Sequence, residues 1–152
     1  MTKALTWIVA ADGGRARFFE RLRPGVKLTE LKALAMSAEP LAPTKQRPAR
    51  VYDRMGPARH AVEPRATPKE AAETRFLGEV ADAINQAAAQ GAFEKLILCA
   101  PPRAAGILGK CLSGAARKRL TAAVNKDLVR ARPEEMAERL GELLRQADAR
   151  LD

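Results

Sequence analysis

The chain has 152 residues, 47% of them hydrophobic, and carries 27 Lys and Arg against 18 Asp and Glu, which gives a formal net charge of +9. This length and apolar content predict one globular domain over residues 1–152 with a buried core. They exclude a membrane-spanning helix, because no apolar run approaches the roughly 18 residues that such a helix needs.

The first residues and the net charge bear on the expected cellular compartment and binding partner. Met1-Thr2-Lys3 leads directly into a strand-like segment rather than into a signal peptide, so we expect a cytoplasmic protein. A strongly basic protein suits nucleic acid, the ribosome or an anionic membrane surface as a partner. The alternative is an ordinary basic enzyme from an organism with arginine-heavy usage.

The first predicted elements form a hairpin. Thr6–Ala11 is a β-rich apolar run and Ala16–Arg21 is a second. Asp12-Gly13-Gly14-Arg15 joins them, and Asp-Gly between two strand-like runs predicts a tight turn with positive φ angles. The next run, Lys27–Leu34, has apolar positions mixed between alternation and helical spacing, and we interpret it as a third strand.

A long segment without helical or strand periodicity follows, over residues 40–67. Structureless loops of this length are uncommon in compact domains and are usually functional or disordered. Its basic residues are Lys45, Arg47, Arg50, Arg54, Arg59 and Arg65. We interpret it as a basic loop whose guanidinium groups contact phosphates and whose Tyr52 stacks on a base. The alternative is a solvated loop that keeps the protein soluble.

The second half of the chain predicts alternating helices and strands. Thr67-Pro68-Lys69-Glu70 combines an N-cap threonine, a proline at the first helical position and a capping-box glutamate. The helix that begins there runs from Pro68 to about Gln90. The apolar run Lys95–Ala100 is typical of a strand with helices on both faces. The remaining predicted elements are a short helix over Ala104–Leu112, a strand within Leu120–Val129 and a helix from Pro133 to about Ala149.

The order of these elements is β-β-β-α-β-α-β-α. It predicts an α/β fold around a mixed five-stranded sheet, in which the first three strands are antiparallel and the last two are added by helical crossovers. This order matches the ribonuclease H-like topology. We expect Trp7, Phe18 and Phe19 in the core, together with Cys99 and Cys111 as reduced thiols, because neither cysteine has CxxC spacing or a partner histidine.

Four stretches carry a family resemblance: Trp7–Phe19, Arg59–Pro64, Ala100–Arg103 and Asn125–Leu128. They resemble the bacterial host-attachment protein family, named for proteins required for attachment to host cells. Together the stretches span nearly the whole chain, and none of them is a catalytic signature. The resemblance therefore implies a fold and an indirect role in attachment rather than a reaction.

The same layout is similar to the middle domain of archaeal and eukaryotic class-one peptide-chain release factors and of the ribosome-rescue protein Pelota. In release factors the loop before the first helix carries a Gly-Gly-Gln motif that helps water cleave peptidyl-tRNA. The corresponding loop here reads Arg54-Met55-Gly56-Pro57-Ala58-Arg59-His60, and Gly13-Gly14 is followed by Arg15 in the hairpin. Without the motif, the resemblance implies docking on RNA or the ribosome rather than hydrolysis.

Three further residues are weaker candidates for chemistry. His60, the only histidine, titrates near neutrality as a general base requires, and the alternative is a loop-packing histidine. Asp12 and Asp127 are the acids that can face one end of the sheet, where ribonuclease H-like nucleases hold two divalent metals. The alternatives are a hairpin turn residue for Asp12 and a strand-end charge for Asp127.

The sequence favours a non-enzymatic protein that binds RNA or the ribosome and needs no cofactor. The expected contacts are Arg47, Arg50, Tyr52, Arg54, Arg59, His60 and Arg65. A second basic run, Arg117-Lys118-Arg119, either extends this surface or complements a helix dipole. The competing hypotheses are a hydrolase that acts on peptidyl-tRNA or nucleic acid, and a protein-interaction domain whose basic loop binds an acidic protein.

Overall fold

A computed structural model describes residues 5–22, 27–38 and 67–149, with side chains through residue 146. Its strands are β1 (Thr6–Ala11), β2 (Arg15–Arg21), β3 (Thr29–Glu30), β4 (Met36–Ser37), β5 (Lys95–Cys99) and β6 (Leu120–Val124). Its α-helices are α1 (Pro68–Ala89), α2 (Pro102–Cys111), α3 (Gly114–Arg119), α4 (Pro133–Arg139) and α5 (Gly141–Ala149). None of the helices in these ranges is long and apolar enough to cross a membrane.

The strands form one mixed sheet in the order β3-β2-β1-β5-β6, with β4 also paired to β2. β1 pairs antiparallel with β2 and parallel with β5, and β5 pairs parallel with β6. The predicted mixed α/β fold, with an antiparallel first half and helical crossovers in the second half, is therefore confirmed. As a result, β1, β5 and β6 end at the same edge of the sheet.

Helices cover both faces of this sheet because β1 is apolar on both sides. Trp7 and Val9 pack with α1, α2 and α3 in one core cluster, while Ile8 and Ala10 pack with α4 and α5 in the other. The aromatic side chains predicted for the core are buried: Trp7 is 6% exposed, and Phe18 and Phe19 are fully buried. The domain core thus consists of two apolar layers separated by the sheet.

Helix α1 begins and ends as the sequence predicts. The Thr67 Oγ1 accepts a hydrogen bond from the Glu70 backbone N–H at 3.0 Å, and the Glu70 Oε1 accepts one from the Thr67 N–H at 3.1 Å. At the other end the chain turns at Gly91, whose φ of 73° lies in the left-handed region that favours glycine. Local capping signals therefore position α1 correctly from sequence alone.

The predicted third strand over Lys27–Leu34 is wrong in its extent. β2 pairs Phe19 with Glu30 and Ala16 with Met36, so the two residues of β2 between these pairs face a longer stretch of partner chain. The excess residues form a 3-10 turn over Lys32–Leu34. Two short strands, β3 and β4, thus replace one longer strand, which raises the strand number of the sheet from the predicted five to six.

Two other predictions need correction. The single last helix from Pro133 to Ala149 is divided into α4 and α5, with Leu140 as the C-cap of α4 and Gly141 as the first residue of α5. Cys99 is buried in β5 as expected, but Cys111 at the end of α2 is exposed and is not a core residue. Its neighbour Leu112, which is 5% exposed, takes the buried position instead.

Candidate functional site

The carboxyl ends of β1, β5 and β6 form an edge of the sheet that we call the carboxyl edge, comprising residues 12–15, 100–103 and 125–132. Ligand sites of open α/β sheets lie beyond the carboxyl ends of their strands. Residues 39–66 also connect to the described chain here, since the Ala38 N–H donates a hydrogen bond to the Gly14 carbonyl at 2.9 Å. We therefore take the carboxyl edge as the candidate functional site of the described chain.

The hairpin turn at this edge is organised by the Asp12 carboxylate. Its Oδ1 accepts hydrogen bonds from the backbone N–H groups of Gly14 at 2.9 Å and Arg15 at 2.8 Å. Neither glycine has a positive φ, so the reason expected for Asp-Gly at this turn is wrong although the hairpin itself is present. A Cβ built on Gly13 would lie 2.6 Å from the Glu73 Cδ, so any larger residue here must displace the Glu73 side chain of α1.

Glu73 links the hairpin turn to the start of α2. Its Oε1 accepts a hydrogen bond from the Arg103 Nη1 at 3.0 Å, and the two side chains are 26% and 50% exposed. Arg103 follows Pro101, the N-cap of α2, and Pro102, its first residue. The Ala100–Arg103 stretch is therefore a stiff connection that places the Arg103 guanidinium on Glu73, the side chain that approaches Gly13.

A second arginine, Arg17 of β2, holds the segment that follows β6. Its guanidinium donates two hydrogen bonds to the Glu30 carboxylate, at 3.0 and 2.9 Å, and its Nη1 donates to the carbonyls of Val129 at 2.9 Å and Ala131 at 2.7 Å. The guanidinium carbon lies 5.0 Å from the centroid of the Phe19 ring, a cation–π distance. These contacts fix the backbone on both sides of residue 130.

The Arg17–Glu30 pair is mostly shielded, with side chains 17% and 15% exposed. The hydrogen bond from Arg17 and its positive charge lower the pKa of Glu30 below its ordinary value, and Glu30 raises the pKa of Arg17. Both groups are therefore ionised near neutral pH. The pair acts as a fixed clamp rather than as a proton donor or acceptor.

Two clefts open at the carboxyl edge, and Arg130 lines both. The first, of about 390 Å³, is lined by Asp12, Gly13, Gly14, Arg15, Glu73 and Arg130. The second, of about 200 Å³, is lined by Asp127, Leu128, Arg130, Ala131, Glu135 and Arg139. Arg130 is exposed, whereas Val129 and Ala131 on either side of it are buried. Its side chain therefore extends from a buried backbone segment and lines both clefts.

The two acids proposed as metal ligands lie in different clefts. Asp12 lines the first cleft and Asp127 the second. The Asp127 Oδ1 accepts a hydrogen bond from the Val129 N–H at 3.3 Å, so each carboxylate organises a turn. Within the described residues no group of three His, Cys, Asp or Glu side chains is arranged to hold a metal ion.

The seven residues predicted to contact RNA all lie outside the described residues. They are Arg47, Arg50, Tyr52, Arg54, Arg59, His60 and Arg65. The basic run at 117–119 is described, and most of it is structural. Arg117 donates to the carbonyls of Gly109 and Leu112, at 2.7 and 3.3 Å, and Arg119 donates to the Phe93 carbonyl at 3.3 Å.

Three residues were not predicted from the sequence: Arg130 of the carboxyl edge, and Glu73 and Glu30, which contact residues near it. Glu73 follows a recognisable helix start by two turns, but only the approach of α1 to Gly13 gives it a role. Arg130 comes soon after the Asn125–Leu128 stretch and carries no spacing signal of its own. Glu30 meets Arg17 through β3, the strand whose extent was predicted wrongly.

The fold is a three-layer α/β domain with a polar, arginine-lined carboxyl edge. A sequence family described as "Protein required for attachment to host cells" matches residues 7–140, and the chain belongs to that family. Among solved structures, the chain is similar to the crystal structure of an archaeal translation termination factor, aRF1, with a TM-score of 0.47 and 13% sequence identity. The alignment covers 96% of this chain and 37% of that one. No curated protein sequence matches the chain.

Proposed function

We propose that this protein is a non-enzymatic module that binds RNA or the ribosome through its carboxyl edge and the basic segment 40–67. The observation that carries the proposal is that this segment follows Ala38, whose N–H bonds the Gly14 carbonyl at the first cleft, and precedes α1, which contributes Glu73 to the lining of that cleft. The phosphate backbone is a polyanion that a protein of net charge +9 attracts over a distance of a Debye length.

The contacts in the described part favour binding over catalysis. The acids that a hydrolase would use are engaged elsewhere, since the Asp12 and Asp127 carboxylates accept backbone N–H groups and Glu73 accepts Arg103. The side chains of Arg15 and Arg130, which line the first cleft, form no hydrogen bond or ion pair with another described residue. A surface with engaged acids and available guanidinium groups suits phosphate contact.

In this proposal the role in host attachment that the family's description gives is indirect, acting through RNA or translation rather than through an adhesive surface. The module is a single domain over residues 1–152 and functions in the cytoplasm. A protein partner of acidic surface is the competing possibility, since a basic edge attracts acidic proteins by the same electrostatics. Binding to RNA and binding to protein are separated by nuclease treatment.

The test is sedimentation of the tagged protein in native cell lysate at low and high salt. We expect the wild type to migrate with ribosomal fractions at low salt and a variant with Arg50→Ala, Arg54→Ala and Arg59→Ala to stay at the top of the gradient. The matched control removes three charges that line neither cleft, with Lys110→Ala, Lys118→Ala and Arg145→Ala. The proposal fails if the wild type stays at the top in both salts, or if its migration survives ribonuclease.

A further inference from the structure

The first cleft at the carboxyl edge combines two arginines with acids that are already bonded. Asp12 and Glu73 contribute negative charge to its lining, but the Asp12 Oδ1 already accepts two backbone N–H groups and Glu73 is paired with Arg103. The four charged side chains that line this cleft, Asp12, Glu73, Arg15 and Arg130, sum to no net charge, and Arg103, which does not line it, offsets the charge of Glu73. The second cleft, which Asp127, Glu135, Arg130 and Arg139 line, is formally neutral.

Arg130 differs from an ordinary surface arginine because its backbone is fixed. The carbonyls on either side of it, those of Val129 and Ala131, accept hydrogen bonds from one nitrogen of Arg17. Arg17 is itself held by both oxygens of Glu30. A guanidinium that starts from a fixed backbone loses less conformational entropy when it binds a ligand than one on a mobile loop.

We infer that Arg130 and Arg15 form a phosphate-binding site in the first cleft, with Arg17 as the positioning residue of Arg130. A guanidinium forms two parallel hydrogen bonds to phosphate oxygens, so two such groups can hold one terminal phosphate or two neighbouring phosphates of a nucleic-acid strand. The cleft, of about 390 Å³, lies within the range of roughly 300–1,000 Å³ typical of small-ligand pockets. The inference deepens the proposed function and rests on it where the phosphate is that of RNA.

The experiment compares single-charge variants in two binding assays. The first follows the affinity for a short single-stranded RNA by fluorescence anisotropy between 0.1 and 1 M salt. The variants are Arg130→Gln and Arg15→Gln, and the control is Lys118→Gln, which removes one exposed charge and lines neither cleft. The second titrates inorganic pyrophosphate and follows the arginine Nε–H signals by NMR.

Loss of one phosphate contact to a single strand makes the slope of log affinity against log salt shallower by about 0.7, so the affinity advantage of the wild type over the variant shrinks about fivefold over a tenfold rise in salt. We expect this change for Arg130→Gln and Arg15→Gln and a smaller change for Lys118→Gln. Arg17→Lys keeps the charge at position 17 but cannot bond two carbonyls and both Glu30 oxygens. It should weaken binding as Arg130→Gln does, and adding it to Arg130→Gln should cause little further loss.

The outcomes separate the site from the proposed function. If the wild type binds RNA but the cleft variants equal Lys118→Gln, RNA binding stands and the site is refuted. If the wild type binds no RNA and pyrophosphate shifts the signals of Arg15 and Arg130, the site stands as one for a free phosphate compound and the proposed function fails. If neither ligand binds, both are refuted. Additivity of Arg17→Lys and Arg130→Gln would refute the positioning role.

Discussion

Replacement of Gly13 by alanine tests the packing of α1 against the hairpin turn. A Cβ at this position would lie 2.6 Å from the Glu73 Cδ and 2.7 Å from its Cγ, distances at which the Glu73 side chain must move. Gly14 is a matched control in the same turn, because a Cβ there meets nothing within 4 Å. Since neither residue has a positive φ, the backbone admits alanine at both positions.

The expected change in the free energy of unfolding depends on the contacts that the Glu73 side chain loses. Both alanine variants reduce the entropy of the unfolded chain, a gain of about 0.4–1 kcal/mol. Gly13→Ala in addition breaks the ion pair with Arg103, worth at most about 0.5 kcal/mol because Arg103 is half exposed, and adds a similar cost for the displaced side chain. We therefore expect Gly13→Ala to be about 1 kcal/mol less stable than Gly14→Ala, or roughly 2–4 °C lower in Tm.

Thermal and urea unfolding of the two variants measure this difference, and a third variant identifies its cause. In a Glu73→Ala background, Gly13→Ala should cost no more than Gly14→Ala, because the contacting atoms beyond the Glu73 Cβ are gone. Equal Tm values for the two single variants would refute the close approach of α1. A difference that persists in the Glu73→Ala background would refute its assignment to Glu73.

Three further predictions concern other parts of the chain. The pKa of Glu30 is lowered by Arg17, so the stabilisation from this pair should be complete above about pH 4.3 and decline as the pH falls through the lowered value; the stability gap between wild type and Glu30→Gln in urea unfolding should shrink on acidification, and a constant gap would contradict the pairing. Burial raises the pKa of the Cys99 thiol to about 12, so in native protein a thiol reagent should label exposed Cys111 and label Cys99 only after denaturation. Gly91→Ala places a side chain at a φ of 73° and should cost about 1 kcal/mol in chemical unfolding, whereas a neutral result would argue against the left-handed turn.

The elements that sequence analysis predicted well are those with short-range signals. Thr67, Pro68 and Glu70 lie within one helical turn and specify the start of α1 by their own hydrogen bonds. The continuous apolar run of β5 likewise reports its burial on both faces. The extent of the third strand was predicted wrongly because it depends on the register against β2. The partner chain has more residues than β2 between the two paired positions, and the excess forms the 3-10 turn over Lys32–Leu34, which the local sequence pattern does not indicate.

The carboxyl edge could not be predicted because its contacts join distant parts of the chain. Arg17 bonds Val129 and Ala131 across more than a hundred residues, and Arg103 bonds Glu73 across 30. Each of these side chains is unremarkable in sequence, since arginine and glutamate are common on surfaces of basic proteins. Only the Asp12 turn was indicated locally, and there the structure changed the reason, from positive φ at the glycines to backbone hydrogen bonds accepted by the carboxylate.

Two side chains, Arg17 and Glu73, carry the long-range contacts that hold the carboxyl edge together. Arg17 joins β2, β3 and the segment after β6, while Glu73 joins α1, the hairpin turn and α2. Neither Arg17 nor Glu73 bonds the side chain of Arg15 or Arg130, so these two arginines can be changed without removing a hydrogen bond or ion pair between described elements. If Arg15→Gln or Arg130→Gln loses binding while its free energy of unfolding is unchanged, the substituted side chain contacts the ligand. If Arg17→Met loses both binding and stability, Arg17 supports the structure of the carboxyl edge. Because Arg17 supports the edge while Arg15 and Arg130 are exposed, phosphate binding and structural stability can be measured separately.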